Sequence, residues 1–341
     1  HHQGCCQLPP DLDRVTETLI SLGCSPNVGA ALIVSLGCEG TDTERLYEMI
    51  RATGKPVEII RIQELGGVSA AIKAGIDAAQ ELVMEISGMQ RQAVDISRVT
   101  MSIKCGASDT TSGMASNCVI GYVADKLVDL GATVVFGETT EFLGGEHLLA
   151  RRAVTLEVGQ KILDIVDRME KRARSLGCDM RKGQPTPGNI AGGLSSIEEK
   201  SLGAIVKSGT RPIQGVLEYP ERIGERKGLW IKDTPGREPE ILTGMAATGA
   251  QFMLFSTGRG APQGFPTMPV LKICGNPNTY ERMQHDMDIN AGRIITGERS
   301  IEEVGEEAYA AVLALLSGRQ TKNETLGYHS SIDIYTLGPV I

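Results

Sequence analysis

Short apolar runs rich in β-branched residues alternate with longer helix-like segments along the first part of the chain. Runs of this length, bounded by turn residues, are typical of buried strands. Strands that alternate with helices usually pair side by side in a parallel sheet, so the pattern predicts an α/β fold. The predicted strands are Ala31–Cys38, Val57–Ile62, Val99–Cys105 and Ala132–Glu138, and the predicted helices cover about 41–53, 67–92 and 112–130.

The second half of the chain repeats this alternation after a different kind of segment. Residues 146–176 have the pattern of one long charged amphipathic helix, and the Pro- and Gly-rich stretch Arg181–Ala191 and a helix at about 195–208 follow it. We therefore predict two Rossmann-like α/β domains with largely parallel sheets, over residues 1–145 and 146–341. The further strands are predicted at Gly215–Tyr219, Leu229–Lys232, Gln251–Ser256 and Val270–Cys274, and the further helices at about 238–248, 278–288 and 300–318.

The composition excludes several classes of protein. The chain has 34 Lys and Arg against 42 Asp and Glu, a net charge of −8, and no basic block that could neutralise a row of phosphates. Aromatic residues make up only 4%, too few to form stacking platforms for single-stranded nucleic acid. No apolar run approaches the roughly 18–20 residues that span a bilayer, and the first residues lack the pattern of a signal peptide. We therefore expect a cytoplasmic protein that binds neither nucleic acid nor a membrane.

Cysteine and histidine side chains lie at predicted strand ends and at the start of the chain. Because ligands bind beyond the carboxyl ends of parallel strands, Cys38 and Cys105 are candidate ligands. His1 and Cys5 add an imidazole and a thiol. Sulfur and imidazole ligands with nearby carboxylates suit iron or zinc better than magnesium, so the sequence indicates a metal site. The alternative is that these cysteines are small buried hydrophobic residues, and for the other cysteines we favour that interpretation.

Two carboxylates and a histidine follow the fourth predicted strand. Glu138 and Glu141 are three residues apart at a strand-to-helix turn, so they could converge on one cation or one proton. The alternative is that they are solvated charges, which the dipole favours at a helix N-terminus. His147 is either an acid–base group or a surface histidine beside Glu146.

A glycine-rich segment in the second half suggests an anion site. The backbone N–H groups of Gly258–Gly260 could hold an anion, and Arg259 could bind a carboxylate through two nitrogens. However, the chain has no G-x-G-x-x-G after the first predicted strand and no G-x-x-x-x-G-K-[ST] motif. The sequence therefore favours a small carboxylate substrate on a metal ion over a nucleotide cofactor.

Several short segments, taken in order along the chain, form a recognisable set. They are Gly37–Gly40, Cys105–Gly106 with Ser108–Asp109, Glu146–Leu149, Thr186–Asn189 with Gly192–Leu194, Glu199–Lys200, Asp233–Gly236, Thr257–Gly260 and Asp286–Asn290. In order and spacing they resemble the carboxy-terminal catalytic region of the altronate and galactarate dehydratase family, over nearly the whole chain. Members of that family remove water from a sugar acid to give a 2-keto-3-deoxy acid, and they are described as dependent on iron or another divalent cation.

Within the family the sequence is most similar to the altronate type, because Asp233–Gly236 and Gly145–His147 match the altronate-type motifs. A sulfolactate sulfo-lyase subunit shares the same region, but there we expect a serine-rich stretch in place of Asp233–Gly236. Family enzymes usually carry a small amino-terminal domain that these residues lack, so we expect a fragment or a separate partner polypeptide. The first six residues resemble a family H-x-E-G-C-G segment, with Gln3 for Glu and Cys6 for Gly.

The resemblance and the chemistry of dehydration together imply roles for the candidate residues. The implied ligands of Fe²⁺, or of another divalent cation such as Mn²⁺, are Cys38 and Cys105 with His1 or Cys5, completed by Glu138 or Glu141. The implied acids and bases are His147, which we favour, and Glu138, Glu141 and Lys200. The implied substrate-binding residues are Asn189, Arg259, Ser108 and Asp109.

The sequence leaves the substrate and the assembly open. D-altronate is the favoured substrate, and galactarate dehydratase or the large subunit of a sulfolactate sulfo-lyase are the alternatives within the family. A non-catalytic sugar-acid-binding subunit that needs a partner chain is the alternative from another class. A small amino-terminal domain or subunit and a second copy of the chain are the macromolecular partners that we expect.

Overall fold

The computed structural model describes residues 6–329 and 331–338. Within these residues, nine parallel strands form a two-stranded sheet and a seven-stranded sheet, which confirms the predicted α/β fold. The strands are β1 (Ala31–Ser35), β2 (Val57–Arg61), β3 (Thr100–Gly106), β4 (Thr133–Phe136), β5 (Ile213–Leu217), β6 (Gly228–Lys232), β7 (Phe252–Thr257), β8 (Val270–Cys274) and β9 (Ile289–Asn290). β1 pairs with β2, and the seven-stranded sheet has the order β5-β6-β4-β3-β7-β8-β9.

Helices connect the strands and cover both faces of the larger sheet. The α-helices are α1 (Asp11–Gly23), α2 (Thr43–Arg51), α3 (Val68–Ser87), α4 (Asn117–Asp129), α5 (Glu146–Arg151), α6 (Leu156–Ser175), α7 (Met180–Gly183), α8 (Pro187–Ala191), α9 (Ile197–Ile205), α10 (Glu238–Ala247), α11 (Pro277–Arg282), α12 (Gly292–Ile295), α13 (Ile301–Leu316) and α14 (Lys322–Leu326). None of the helices described is both long enough and apolar enough to cross a lipid bilayer.

Strand β3 is the centre of the larger sheet. All seven of its residues are buried, because β4 pairs with one edge, β7 pairs with the other, and helices cover both faces. The sequence interpretation places β3 and β4 in a first domain of residues 1–145, but the structure places them in the same sheet as β5–β9. Among the described residues, β1 and β2 form the other sheet, so the two sheets divide the chain between residues 61 and 100.

Two apolar clusters hold the helices on the larger sheet. Along β3, Met101 and Ile103 point to one face, where they join a cluster with α4, α6 and α13. The opposite face packs on α10 through a second cluster that includes Phe255 and Met245. Successive strand residues point to opposite faces, so Lys104 lies on the α10 side and Cys105 on the α4 side. This alternation decides which groups meet at the end of β3.

The predicted single helix over residues 146–176 is two helices in the structure. Between α5 and α6, the backbone N–H of Val154 donates to the carbonyl of Ile213, the first residue of β5, at 3.0 Å. Thr155 then caps α6, because its hydroxyl accepts a hydrogen bond from the N–H of Val158. The helical pattern is correct on either side, but pairing with β5 interrupts it.

Strand β6 carries a fully buried lysine. The Lys232 amine donates to the carbonyl of Glu221 at 2.8 Å and to the hydroxyl of Thr248 at 2.7 Å. Burial lowers the pKa of Lys232 to about 7, although the charge of Glu221 opposes the shift. Its ordinary pKa is about 10.4, so above about pH 7 the unfolded chain binds more protons at this residue than the folded chain does.

This difference predicts a pH dependence of stability. Between about pH 7 and about pH 10, Lys232 should make the free energy of unfolding rise with pH by up to about 1.4 kcal/mol per unit. We expect Lys232→Met to flatten the rise by that amount, as measured by urea unfolding at several pH values. The exposed Lys182→Met is the matched control and should keep the wild-type slope. Equal slopes for both variants would contradict the prediction.

Candidate active site

The carboxyl ends of β3, β4 and β7 meet at one edge of the larger sheet. From β3, the chain continues to β4 on one side, whereas β8 and β9 extend the sheet beyond β7 on the other side. In parallel α/β sheets, such a change of direction opens a crevice at the carboxyl ends, where ligands bind. Asp109, Glu138 and Arg259 follow these three strands. The structure therefore places the predicted candidates at the expected edge.

Asp109 fixes the loop after β3. One oxygen of its buried carboxylate accepts from the hydroxyl of Thr111 at 2.6 Å and the N–H of Ser112 at 3.1 Å, and the other accepts from Asn276 at 3.0 Å. A side chain at Gly258 would meet this carboxylate, since an added Cβ would lie 2.0 Å from Asp109 Oδ1. Asp109 therefore shapes the site by holding its loop.

Ser108, Asn189 and Arg259 come together beside this loop. The Asn189 amide donates to the carbonyl of Ser108 at 2.9 Å, and its oxygen accepts from the N–H of Thr186 in the cap of α8. Arg259 is exposed and donates from one nitrogen to the carbonyl of Gly188 at 2.5 Å. The structure thus brings the four predicted substrate-binding residues to one place, with Asn189 engaged in holding α8 against the loop.

Glu138 lies between two buried lysines. One of its carboxylate oxygens accepts from Lys104 at 3.0 Å, and the other accepts from Lys207 at 2.7 Å and from the N–H of Cys105 at 2.9 Å. Its backbone is left-handed, with φ of 68°, just beyond the end of β4. Burial alone would raise the pKa of Glu138, but the charges of Lys104 and Lys207 lower it below its ordinary value. Glu138 is therefore an ionised carboxylate fixed by two cations.

Sequence analysis does not identify Lys104 or Lys207 as site residues. Both amines are fully buried, and a buried charge is tolerated only with a partner. A signal for Lys104 is present in the sequence, because it interrupts the apolar run of β3, where a lysine has no reason to lie unless it is paired. Lys207 lies at the end of a helical segment, and nothing local in the sequence marks it.

Cys105 holds a neutral thiol in this cluster. Its sulfur lies 3.0 Å from the Lys207 amine, which donates to it. Burial, with the nearby charge of Glu138, raises the pKa of Cys105 to about 12 even though Lys207 opposes the shift. The thiol of Cys105 is therefore protonated in the metal-free protein, and its role as a metal ligand stays a prediction.

The predicted metal ligands do not assemble among the described residues. Cys38 is exposed after β1 of the smaller sheet, where the amide of Gln63 donates to its sulfur, whereas Cys105 is buried in the larger sheet. Residues 6–329 and 331–338 contain no group of three or more His, Cys, Asp and Glu side chains that could hold a metal ion. His1 and Cys5 lie outside the described residues, so their predicted role stays a prediction.

Glu141 and Lys200 form an ion pair close to a small cavity. Glu141 Oε1 lies 3.2 Å from the Lys200 amine, which also donates to Gln184 at 2.7 Å. Glu141 Oε2 is buried and accepts no hydrogen bond from the described residues. Lys200 lines a cavity of about 260 Å³ together with Ser108 and Asp109. This pair therefore offers a cation and an uncommitted carboxylate oxygen at the edge of the sheet.

His147, the favoured acid or base in the sequence interpretation, is exposed on α5. Its neighbour Glu146 binds Arg181 at 3.2 Å. This position agrees with the alternative of a surface histidine, and the catalytic role stays a prediction.

Two domain families match the chain. The family described as D-galactarate/Altronate dehydratase, C-terminal, matches residues 96–340, and the family described as D-galactarate dehydratase/Altronate hydrolase, second domain, matches residues 1–87. The gap between the two matches falls between β2 and β3, where the two sheets also divide the chain.

Curated relatives match nearly the whole chain. The (2R)-sulfolactate sulfo-lyase subunit beta of Chromohalobacter salexigens is 39% identical over 97% of this chain and 85% of its own length. Galactarate dehydratase (L-threo-forming) of Escherichia coli is 34% identical over 95% of this chain, and altronate dehydratase of Bacillus subtilis is 32% identical over 95%. The chain spans 63% and 64% of these two dehydratases. Overall identity therefore does not single out the altronate type. The relatives and both domain matches agree on the family. The chain belongs to the D-galactarate/altronate dehydratase family, whose named members are lyases.

Proposed function

We propose that the protein dehydrates a sugar acid to a 2-keto-3-deoxy acid, with D-altronate as the favoured substrate. The observation that carries the proposal is that Lys200, which forms an ion pair with Glu141, lines the same cavity as Ser108 and Asp109. The pair lies at the carboxyl edge of the sheet, where this fold binds ligands. The named dehydratases among the relatives support the reaction type.

The chemistry requires a base for the C2 proton, a cation for the charge that develops and an acid for the departing hydroxyl, and His147 stays the predicted acid. The proton on C2 of a sugar acid is weakly acidic because its removal places two negative charges on the carboxylate group. Lys200 provides positive charge that stabilises this enediolate, and the low exposure of the pair, 11% for Lys200 and 14% for Glu141, strengthens the interaction. Glu141 Oε2 is the candidate base for the C2 proton, since no protein group among the described residues occupies it.

Glu138 has a positioning role in this proposal. Both of its oxygens are bound by buried partners, so it has no free oxygen for the substrate. It fixes the ends of β3 and β4, and Glu141 lies in the short helical turn Thr139–Phe142 that follows directly. The orientation of Glu141 therefore depends on the fixed position of Glu138.

The dependence on Fe²⁺ or Mn²⁺ is a separate part of the proposal. The steps above use the side chains of Glu141 and Lys200, and the described residues contain no group of three or more His, Cys, Asp and Glu that could hold such an ion. His1 and Cys5 remain the untested members of the predicted ligand set.

Desulfonation of a sulfolactate is the second candidate function. The 39% identity to a (2R)-sulfolactate sulfo-lyase subunit over 97% of the chain favours it. Both reactions remove a proton next to a carboxylate and expel a group from the adjacent carbon, so the same base and cation could serve both. A subunit of that kind would also agree with the expected separate partner polypeptide.

Substrate turnover tests these alternatives. The purified protein, loaded anaerobically with Fe²⁺, is assayed on altronate, galactarate and (2R)-sulfolactate, with metal content measured in parallel. We expect a 2-keto acid from altronate. Sulfite from sulfolactate would support the second candidate instead. No product, together with an increase in the melting temperature on adding a sugar acid, would indicate the binding subunit and contradict the dehydratase.

Substitution of the ion pair tests the site. We expect Glu141→Gln and Lys200→Met each to lower kcat by about 10²–10⁴-fold, because one removes the base and the other the cation. Exposed residues on neighbouring segments, changed in Glu157→Gln and Lys182→Met, are matched controls and should keep wild-type kcat. Circular dichroism and the urea midpoint check that the folds are equal. An unchanged kcat in Glu141→Gln would remove Glu141 as the base.

A further inference from the structure

The contact between Cys105 and Lys207 joins a thiol and an amine in the interior of the protein. The two atoms are 3.0 Å apart, Cys105 is 3% exposed and Lys207 is fully buried. Among the described cysteines, this is the only sulfur with a lysine amine at hydrogen-bond distance. Cys274, the other buried cysteine, instead contacts the backbone carbonyl of Asn276 at 3.4 Å. The Cys105 thiol has no role in the proposed dehydration.

We propose that Cys105 and Lys207 are a modification site, at which hydrogen peroxide links the sulfur and the nitrogen through one oxygen atom as a covalent N–O–S bridge. The bridge needs the two side chains in direct contact, and the structure provides this contact in the reduced protein. An oxygen inserted between them replaces the hydrogen bond with two covalent bonds that meet at an angle on the oxygen.

The reaction balances with two molecules of hydrogen peroxide. The first oxidises the thiol of Cys105 to a sulfenic acid: the S–H bond breaks, an S–O bond forms and one water leaves. In the second step the O–H bond of the sulfenic acid and one N–H bond of Lys207 break, and an O–N bond forms. The two electrons released reduce the second peroxide to two waters. The thiol, the amine and two peroxides thus give the bridge and three waters.

Glu138 lies beside the amine that reacts in this step. A lysine ammonium has no lone pair, so the bond to oxygen forms only as a proton leaves the nitrogen. The acceptor at hydrogen-bond distance is Glu138 Oε2, which lies 2.7 Å from the Lys207 amine. The two side chains lie in the interior, so a bulky thiol cannot readily reach the sulfenic acid. The Lys207 amine is therefore the nearest group that can react with the sulfenic acid of Cys105.

The bridge would also change the cluster around Glu138. An amine bound to oxygen is a weak base and stays neutral, so Glu138 would keep Lys104 as its single buried cation. The ends of β3 and β4 would then lose part of the interaction that fixes them. If the proposed function is correct, turnover should fall as the bridge forms, because Glu141 lies in the helical turn that follows Glu138.

Peptide mapping of the wild-type protein tests the bridge without any variant. The protein is treated with hydrogen peroxide, unfolded, alkylated, digested and analysed by mass spectrometry. We expect the peptides that contain Cys105 and Lys207 to be joined, with one oxygen gained and two hydrogens lost relative to the separate peptides. Dithiothreitol should release them. Recovery of Cys105 as a free thiol, or as a sulfenic or sulfinic acid not joined to Lys207, would overturn the proposal.

Two variants and one activity measurement complete the test. Lys207→Arg keeps the positive charge but removes the amine and should form no joined peptide, whereas Cys274→Ser should form it as the wild type does. A joined peptide of the same mass in Lys207→Arg would overturn the proposal. Turnover should fall in proportion to the bridged fraction and recover with dithiothreitol. A reversible bridge without any change in turnover would uphold the modification and contradict the role given to the Glu138 cluster.

Discussion

A single buried carboxylate organises the carboxyl edge of the larger sheet. Two lysine amines lie in the interior beside Glu138, and an unpaired buried ammonium would cost several kcal/mol. Because Lys104 and Cys105 are consecutive in β3, their side chains leave opposite faces of the sheet. Glu138 lies beyond the end of β4, with φ of 68°, and reaches Lys104 on one face and Lys207 on the other. The edge forms as a unit because none of these charges is stable without the others.

This constraint separates the groups that hold the site from those that can act on a ligand. Glu138, Asp109 and Asn189 have their polar atoms engaged by neighbouring residues, so they set the positions of strands, loop and helix. Glu141 keeps a buried oxygen that accepts no hydrogen bond from the described residues, and Lys200, its partner in the ion pair, lines a cavity. Side chains with fixed hydrogen bonds around one unfilled carboxylate oxygen are the kind of arrangement that preorganised catalysis requires.

The sequence predicts the strands well because each buried strand is a local apolar run. All eight predicted strands are present, and β9 is missed because a two-residue strand has no pattern. The sheet to which β3 belongs and the break before α6 depend on pairing with distant residues, which local periodicity does not encode. The same limit applies to the site: the strand-end rule locates Glu138 and Asp109, but Lys207 meets Cys105 from 102 positions away. Only the lysine within the apolar run of β3 signals this cluster.

The same cluster explains why one motif is a weak guide to the substrate. The Asp233–Gly236 segment is where the sequence analysis expects altronate-type and sulfo-lyase sequences to differ. In the structure, the hydroxyl of Thr234 accepts from the N–H of Glu138 at 2.8 Å, and the carbonyl of Gly236 accepts from Lys104 at 3.4 Å. The segment therefore holds the buried carboxylate in place, and a change in its sequence can reflect a different set of hydrogen bonds to that carboxylate. The choice between losing water and losing sulfite must then depend on residues that face the leaving group, which the similarity of whole chains does not isolate.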